Sequence, residues 1–296
     1  MTRRIAIVLT LLLAVVPFGR AQDKPAPPKG ERVFVCGHSF HAFIADPLAQ
    51  LAKAGGIQGH ELAGQQYLGG SRVQQHWDLA DDKNALKKAL KTGKVDVLTL
   101  SPHVKLPDEG IDKFTELALE NNPNVRVLVQ ASWYPYDLST NDAKTFKNRE
   151  RDDAKIEDLR KTYEPFYAAI LKQANDLNAK LKPKFDRQVV FVVPVGHAVV
   201  ALREKVALGQ VPGITKQSDL FLDGIGHGQV PIMVLASYCY YTAIYHRSPV
   251  GLSIPTLWSK QGKPTYDEKL DRILQEIAWE VVTSQPLSGV TAPTKK

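Results

Sequence analysis

The order of segments along this chain predicts an α/β fold: a three-layer α/β/α sandwich with a mainly parallel sheet of five strands and helices on both faces. Two observations carry that expectation. Strand-like and helix-like segments alternate, and the strands are continuous apolar runs, the pattern of strands buried on both faces. A third observation sets the extent. About 250 residues run without a Pro/Gly/Ser linker or an internal repeat, so one domain is expected over residues 31–283.

Residues 33–36 are a short β-branched and aromatic run. Residues 43–54 place Ile44, Leu48, Leu51 and Ala52 at helical spacing and close on Gly55-Gly56. Residues 57–63 read as a weaker second strand, 85–90 as a basic helix and 95–100 as a buried third strand. A helix starts at Asp108 and runs to Leu119, with Pro123 beyond its end, and residues 125–130 form the fourth strand. Residues 134–153 are polar without a clear period, which predicts a surface insertion beside the site mouth. Ile156, Leu159, Tyr163, Phe166, Ile170, Ala174, Leu177 and Leu181 step by threes and fours, so one long amphipathic helix is expected there. Residues 189–195 read as the last core strand. Helices over 232–245 and 266–282 follow, the latter with Leu270, Ile273, Leu274, Ile277 and Val281 on one face.

The ends read differently. Arg3 and Arg4 precede an apolar stretch over residues 5–16, and Gly19-Arg20-Ala21 supplies small residues for cleavage. Residues 1–21 are therefore expected to be a secretory signal peptide, since the stretch is short of the ~20 residues a span needs; an uncleaved anchor is the alternative. Export to the periplasm or beyond follows from that reading. Residues 22–30 are rich in Pro and Lys and predict a flexible leader, and residues 284–296 predict a disordered tail. The formal charge of +7 falls to +4 without the three arginines of the signal. No block of like charges appears, so nucleic acid is not expected as a partner. No segment after the signal is apolar enough to span a membrane. Export permits a disulfide between Cys36 and Cys239, but both lie in apolar segments and are expected as unpaired core thiols.

In parallel sheets of this kind ligands bind at the carboxyl ends of the strands. Ser39 follows the first strand, Ser101-Pro102-His103 the third, Ser132-Trp133 the fourth and Gly196-His197 the fifth, so all gather on one edge. Far downstream lies Asp223-Gly224-Ile225-Gly226-His227. A serine after the first strand and an Asp/His pair late in the domain are the parts of a Ser-His-Asp hydrolase, in the chain order Ser, Asp, His. Each part alone also reads as a Gly-rich turn; their occurrence in order at strand ends is what counts.

These blocks resemble those of the SGNH, or GDSL-like, hydrolases, over roughly residues 31–252. Gly37-His38-Ser39-Phe40 resembles the nucleophile block, Leu68-Gly69-Gly70-Ser71 the second block, and the Asp223 to His227 stretch the last. The segment Tyr245-His246-Arg247-Ser248-Pro249-Val250-Gly251-Leu252 resembles the end of the family's closing helix. The resemblance implies a flavodoxin-like α/β/α fold and a secreted serine hydrolase that cleaves an ester, such as an acyl group on a carbohydrate, without a cofactor or a metal. It implies Ser39 as nucleophile, His227 as base and Asp223 as its orienting acid. It also implies the backbone N–H groups of Ser39 and Gly70 at the oxyanion. Two departures stand out. Three residues separate Asp223 from His227 where the family has two. The third block, Leu100-Ser101-Pro102-His103, lacks the family's oxyanion Asn, so Ser101 or His103 is expected to replace it.

His38, Gln74, Trp77, Trp133 and His197 are the expected substrate contacts, with Gln75, His76, Tyr134 and Tyr136 nearby. Two other readings stay open at this point: a catalytically weak SGNH-like domain that binds glycans, and a metal-dependent hydrolase built on His38, His41, His103 and His197. The spacing of those histidines gives no helical His-X-X-X-His with a carboxylate partner, which argues against zinc.

Overall fold

The computed structural model describes residues 27–138, 145–253 and 267–292. Five parallel strands form one sheet: β1 Arg32–Gly37, β2 Glu61–Tyr67, β3 Val97–Leu100, β4 Arg126–Gln130 and β5 Val190–Val193, in the order β2-β1-β3-β4-β5. The central strands are apolar because helices cover both faces; β3 and β5 are buried at every residue.

Among the described residues eight α-helices surround the sheet: α1 Ala45–Ala54, α2 Val73–Trp77, α3 Ala85–Leu90, α4 Glu109–Asn121, α5 Ile156–Phe185, α6 Val195–Ala207, α7 Val230–Tyr245 and α8 Glu268–Ser284. Helices α1, α6, α7 and α8 pack together on one side, while α2 and α3 pack on α4 on the other. Gln173 of α5 is hydrogen-bonded to Asp108 and Asp112, which sets α5 beside α4. Helix α7 is apolar on all sides because it is the inner helix of its layer, contacting α1, α6 and α8.

With β2 on one side of β1 and β3 on the other, the chain reverses direction across the sheet at β1. That is the switch point, where a crevice opens at the carboxyl ends of the strands. Ser39 lies two residues beyond the end of β1, inside that crevice.

Several expectations need correction. The second strand lies at Glu61–Tyr67, not over 57–63: Ile57 turns back to cap α1 through Ala52 O, and β2, an edge strand, carries polar residues that no apolar run announces. The run over 189–195 is cut at Pro194, and α6 starts at Val195. Its apolar, β-branched start reads as strand only because the helix is buried. Residues 134–153 are not simply a surface insertion, since Arg151 is wholly buried. The end of the chain is not frayed over 286–290: Pro286–Ser288 forms a 3-10 turn packed on β5, and Val290 is buried. The leader is fixed at Gly30, whose N–H donates to Gln58 O. The signal segment over 1–21 lies outside the described residues. Cys36 and Cys239 are buried and unpaired, and burial pushes both thiols up.

Candidate functional site

The turn after β1 is built by two buried histidines. His38 Nδ1 accepts the Phe40 N–H at 3.3 Å, so its Nε2–H faces Pro102 O at 3.3 Å and Ser101 Oγ at 3.2 Å. His41 Nδ1 donates to Gln130 Oε1 at 3.0 Å, and its Nε2 accepts from Thr99 Oγ1 at 2.9 Å. Both rings are spent on tying β1, β3 and β4 together below Ser39. Burial pushes His38 down to about 4 and His41 to about 3, so both are neutral at neutral pH.

Ser39 Oγ lies 2.9 Å from His227 Nε2, and His227 Nδ1 lies 2.6 Å from Asp223 Oδ2. Asp223 Oδ1 accepts the N–H groups of Gly226 at 2.9 Å and His227 at 3.2 Å. That turn absorbs the extra residue between the two side chains. It needs Gly226 at φ +105°, a conformation that L side chains rarely adopt. Burial pushes the Asp223 carboxyl up, but hydrogen bonds from His227 and the two backbone N–H groups outweigh it and hold the group below its ordinary value.

A cavity of about 60 Å³ opens beside Ser39, lined chiefly by Phe40, Trp133, Phe166, Ile225, Pro102 and Val104, with Gly70 and His103 at its edge. Trp133 stacks on Phe40 with centroids 4.6 Å apart. Gly70 has φ +61° and open space where a Cβ would stand. Among the described residues neither the Ser39 nor the Gly70 N–H donates to another group. The loop carrying Gly70 is held from beneath by a chain of hydrogen bonds. Gln66 Nε2 donates to His76 Nδ1, His76 Nε2–H faces Ser71 Oγ at 2.8 Å, and Ser71 Oγ donates to Leu68 O.

The structure therefore brings together Ser39, Asp223, His227, Gly70, His38, His103 and Trp133. It does not bring the others. Ser101 is wholly buried, its Oγ accepting from His38 Nε2–H, and it does not line the cavity. Gln74 bonds Asp78 and Lys113, and Trp77 packs edge-on against Phe114 under Lys87, because the face of α2 carrying them meets α4. His76 is wholly buried. His197 stacks on Tyr167 at 3.8 Å within the α5–α6 layer. Residues that sequence reasoning missed as pocket walls are Phe40, Val104, Phe166 and Ile225. Phe166 was legible only as one more core position of α5, and Ile225 as a filler between two glycines. Of the four histidines of the metal alternative, His38 and His103 lie with ring centroids 6.0 Å apart, while His41 is turned to Gln130 and Thr99 and His197 to Tyr167; among the described residues no group of three His, Cys, Asp or Glu could hold a metal ion.

Fold and site together define a three-layer α/β protein with a serine, a histidine and an aspartate in hydrogen-bonded series at its switch point. No family model and no curated protein matches the chain. Solved structures do. A DUF4886 family protein from Bacteroides uniformis superposes with a TM-score of 0.51 at 15% identity, over 86% of this chain and 95% of that one. A provisionally assigned SGNH hydrolase from Slackia heliotrinireducens gives 0.43 at 14% identity, over 72% of this chain and 97% of that one. A provisionally assigned GDSL-like lipase from Parabacteroides merdae gives 0.39 at 14% identity, over 72% and 95%. At these identities the likeness is one of fold, carried by the first of them.

Proposed function

We propose that this protein is a secreted serine hydrolase that cleaves esters of short acyl groups. The observation that carries the reading is the series Ser39, His227, Asp223 at 2.9 and 2.6 Å, facing a small apolar cavity. His227 takes the Ser39 proton as Oγ attacks the ester carbonyl, then gives it to the departing alkoxide, which leaves as the alcohol. Water, deprotonated by the same Nε2, attacks the acyl-serine and releases the acid, and the proton returns to Ser39. Asp223 holds the Nδ1–H tautomer and stabilises the charged ring. The N–H groups of Ser39 and Gly70, neither of which donates elsewhere among the described residues, support a role at the developing oxyanion. His103 supports the role of a third donor: burial pushes it down, so it is neutral and has one N–H to offer.

The cavity supports a short acyl group, walled by Phe166 and Ile225. The alcohol lies toward solvent, where an acylated carbohydrate is the substrate we favour. The signal-like residues 1–21 support export, and no helix among the described residues is long and apolar enough to cross a membrane. The test is hydrolysis of p-nitrophenyl acetate and acetylated oligosaccharides by the mature protein and by Ser39→Ala, with and without a chelator. Turnover lost in Ser39→Ala and indifferent to the chelator is expected. No turnover on any ester would sink the reading and favour a glycan-binding domain.

A further inference from the structure

The loop from Asp223 to His227 is held at every carbonyl. Arg151 Nη1 donates to Asp223 O at 3.0 Å and Nη2 to Gly224 O at 2.9 Å. The Tyr136 N–H takes Ile225 O at 3.0 Å, Trp133 Nε1 takes Gly226 O at 2.8 Å, and the Leu222 N–H takes His227 O at 2.8 Å. Of these donors Arg151 is the one whose presence has no local reason. It sits in a 3-10 turn over Asn148–Asp153, among residues that are mostly exposed, yet its own side chain is 0% exposed.

Burying a guanidinium costs several kcal/mol unless it is paired and hydrogen-bonded. Arg151 offsets that cost through both terminal nitrogens, while its buried Nε has no hydrogen-bond partner among the described residues and only an ion-pair approach to a carboxylate. Nη1 also reaches Asn148 Oδ1 at 2.8 Å, Nε lies 3.6 Å from Asp137 Oδ1, and the plane lies 4.5 Å from the Phe221 ring. Asp137 is in turn gripped by both nitrogens of the buried Arg203, at 2.8 and 2.7 Å. Two buried cations thus share one buried carboxylate, and the remaining positive charge faces the backbone of the Asp223 loop. The fork geometry matters because the guanidinium holds its donors at fixed positions in one plane, matching two successive carbonyls, where an ammonium on a flexible stem does not. Gly226 leaves it room: a Cβ there would stand 2.9 Å from Arg151 Nη2.

We propose that Arg151 is the positioning residue of the Asp223–His227 pair, fixing the loop so that Asp223 holds the Nδ1–H tautomer of His227 and Nε2 faces Ser39. The proposal rests on the reading of His227 as general base for its kinetic consequence, but not for its structural one. Two variants test it. Arg151→Lys keeps the charge and loses the fork; Arg151→Gln keeps one amide donor and, having no charge to bury, remains informative should the lysine variant not fold. Melting temperature establishes which variant is folded.

Nitrogen-15 shifts of the His227 ring, recorded at alkaline pH, report the tautomer. The wild type is expected as Nδ1–H, and the folded variant as a mixture of tautomers. With p-nitrophenyl acetate, kcat is expected to fall by at least about tenfold at a KM within about threefold, and the same substitution in an Asp223→Ala background to cost less than about twofold, because both changes act through one residue. Unchanged ring shifts, or an equal loss of kcat in both backgrounds, would overturn the proposal. Were the wild type to turn over no ester, the ring shifts alone would decide, and a moved tautomer would uphold the clamp while the hydrolase reading fell.

Discussion

Trp133 lies flat on Phe40, with ring planes 9° apart, while its indole N–H donates to Gly226 O. One side chain at the end of β4 thus touches both halves of the site: the turn that carries Ser39 and the loop that carries His227. The residues predicted to do chemistry come from opposite ends of the chain, and it is this stack that sets their separation.

Asp223 is expected to matter as an ionised partner rather than as a shape. Asp223→Asn keeps an oxygen for the N–H groups of Gly226 and His227 but loses the carboxylate that fixes the imidazole tautomer. A fall in kcat of about ten-thousand-fold is the scale for such a change, with little change in KM. Steady-state kinetics on p-nitrophenyl acetate check it. A loss below about tenfold would remove Asp223 from the reaction.

His103 and Ser101 separate cleanly. His103 edges the cavity, whereas Ser101 is wholly buried outside it and accepts from His38 Nε2–H. His103→Ala is expected to lower kcat about a hundred- to a thousandfold if it completes the oxyanion site. Ser101→Ala is expected to leave kcat alone and to lower the unfolding free energy by about 1 kcal/mol, the scale of one buried hydrogen bond. Kinetics and urea titration of the two variants give both readings.

Acyl-chain preference follows from the cavity walls. Acetate and propionate esters are expected to be better substrates than octanoate. Ile225 is 39% exposed, so Ile225→Ala opens the cavity without emptying the core. It is expected to raise kcat/KM for butyrate and longer esters relative to acetate, measured over a p-nitrophenyl series. An unchanged ratio would place the acyl group elsewhere.

Stability should depend on acid through neutral buried histidines. Burial pushes His38, His76 and His197 down to about 4 and His41 to about 3, from an ordinary value of 6.5. The unfolded chain therefore binds protons that the fold refuses. These groups cost nothing above pH 6.5; stability is lost as pH falls from there toward about 4, and the loss levels off below the folded values. Melting temperature is expected to fall steeply over that window. His197→Phe should flatten the slope by one proton, since His197 packs on Tyr167 with a buried Nδ1 that has no hydrogen-bond partner among the described residues, and should leave kcat/KM unchanged.

Much of the fold could be read from the chain because parallel strands announce themselves: residues 97–100, apolar but for Thr99, and 190–193, apolar throughout, are bounded by clear breaks. Glu61–Tyr67 could not, since an edge strand paired on one side has no need of an apolar run. Helix α6 was hidden for the opposite reason, its Val195 to Val200 start being so buried that no polar face interrupts it. At the site, Ser39 and the Asp223 to His227 stretch were legible as glycine-flanked polar residues at loop positions. Trp77 was misplaced because an aromatic beside a glycine loop looks the same whether it faces the mouth or, as here, Phe114. Arg151 was invisible: an arginine in Asn148-Arg149-Glu150-Arg151-Asp152-Asp153 reads as solvated, and only long-range packing sets it apart from Arg149.

Asp223 and His227 ride on one loop of five residues, closed by its own turn and pinned at each carbonyl. Asp223 and His227 consequently travel as a rigid body. While Arg151 holds the loop, a displacement of that body leaves the 2.6 Å pair intact and changes its distance to Ser39. The site has in effect one coordinate to tune, the gap between two loops, and a chain can drift through many substitutions around it while the Asp223–His227 half stays assembled, ready to be brought nearer to or further from Ser39.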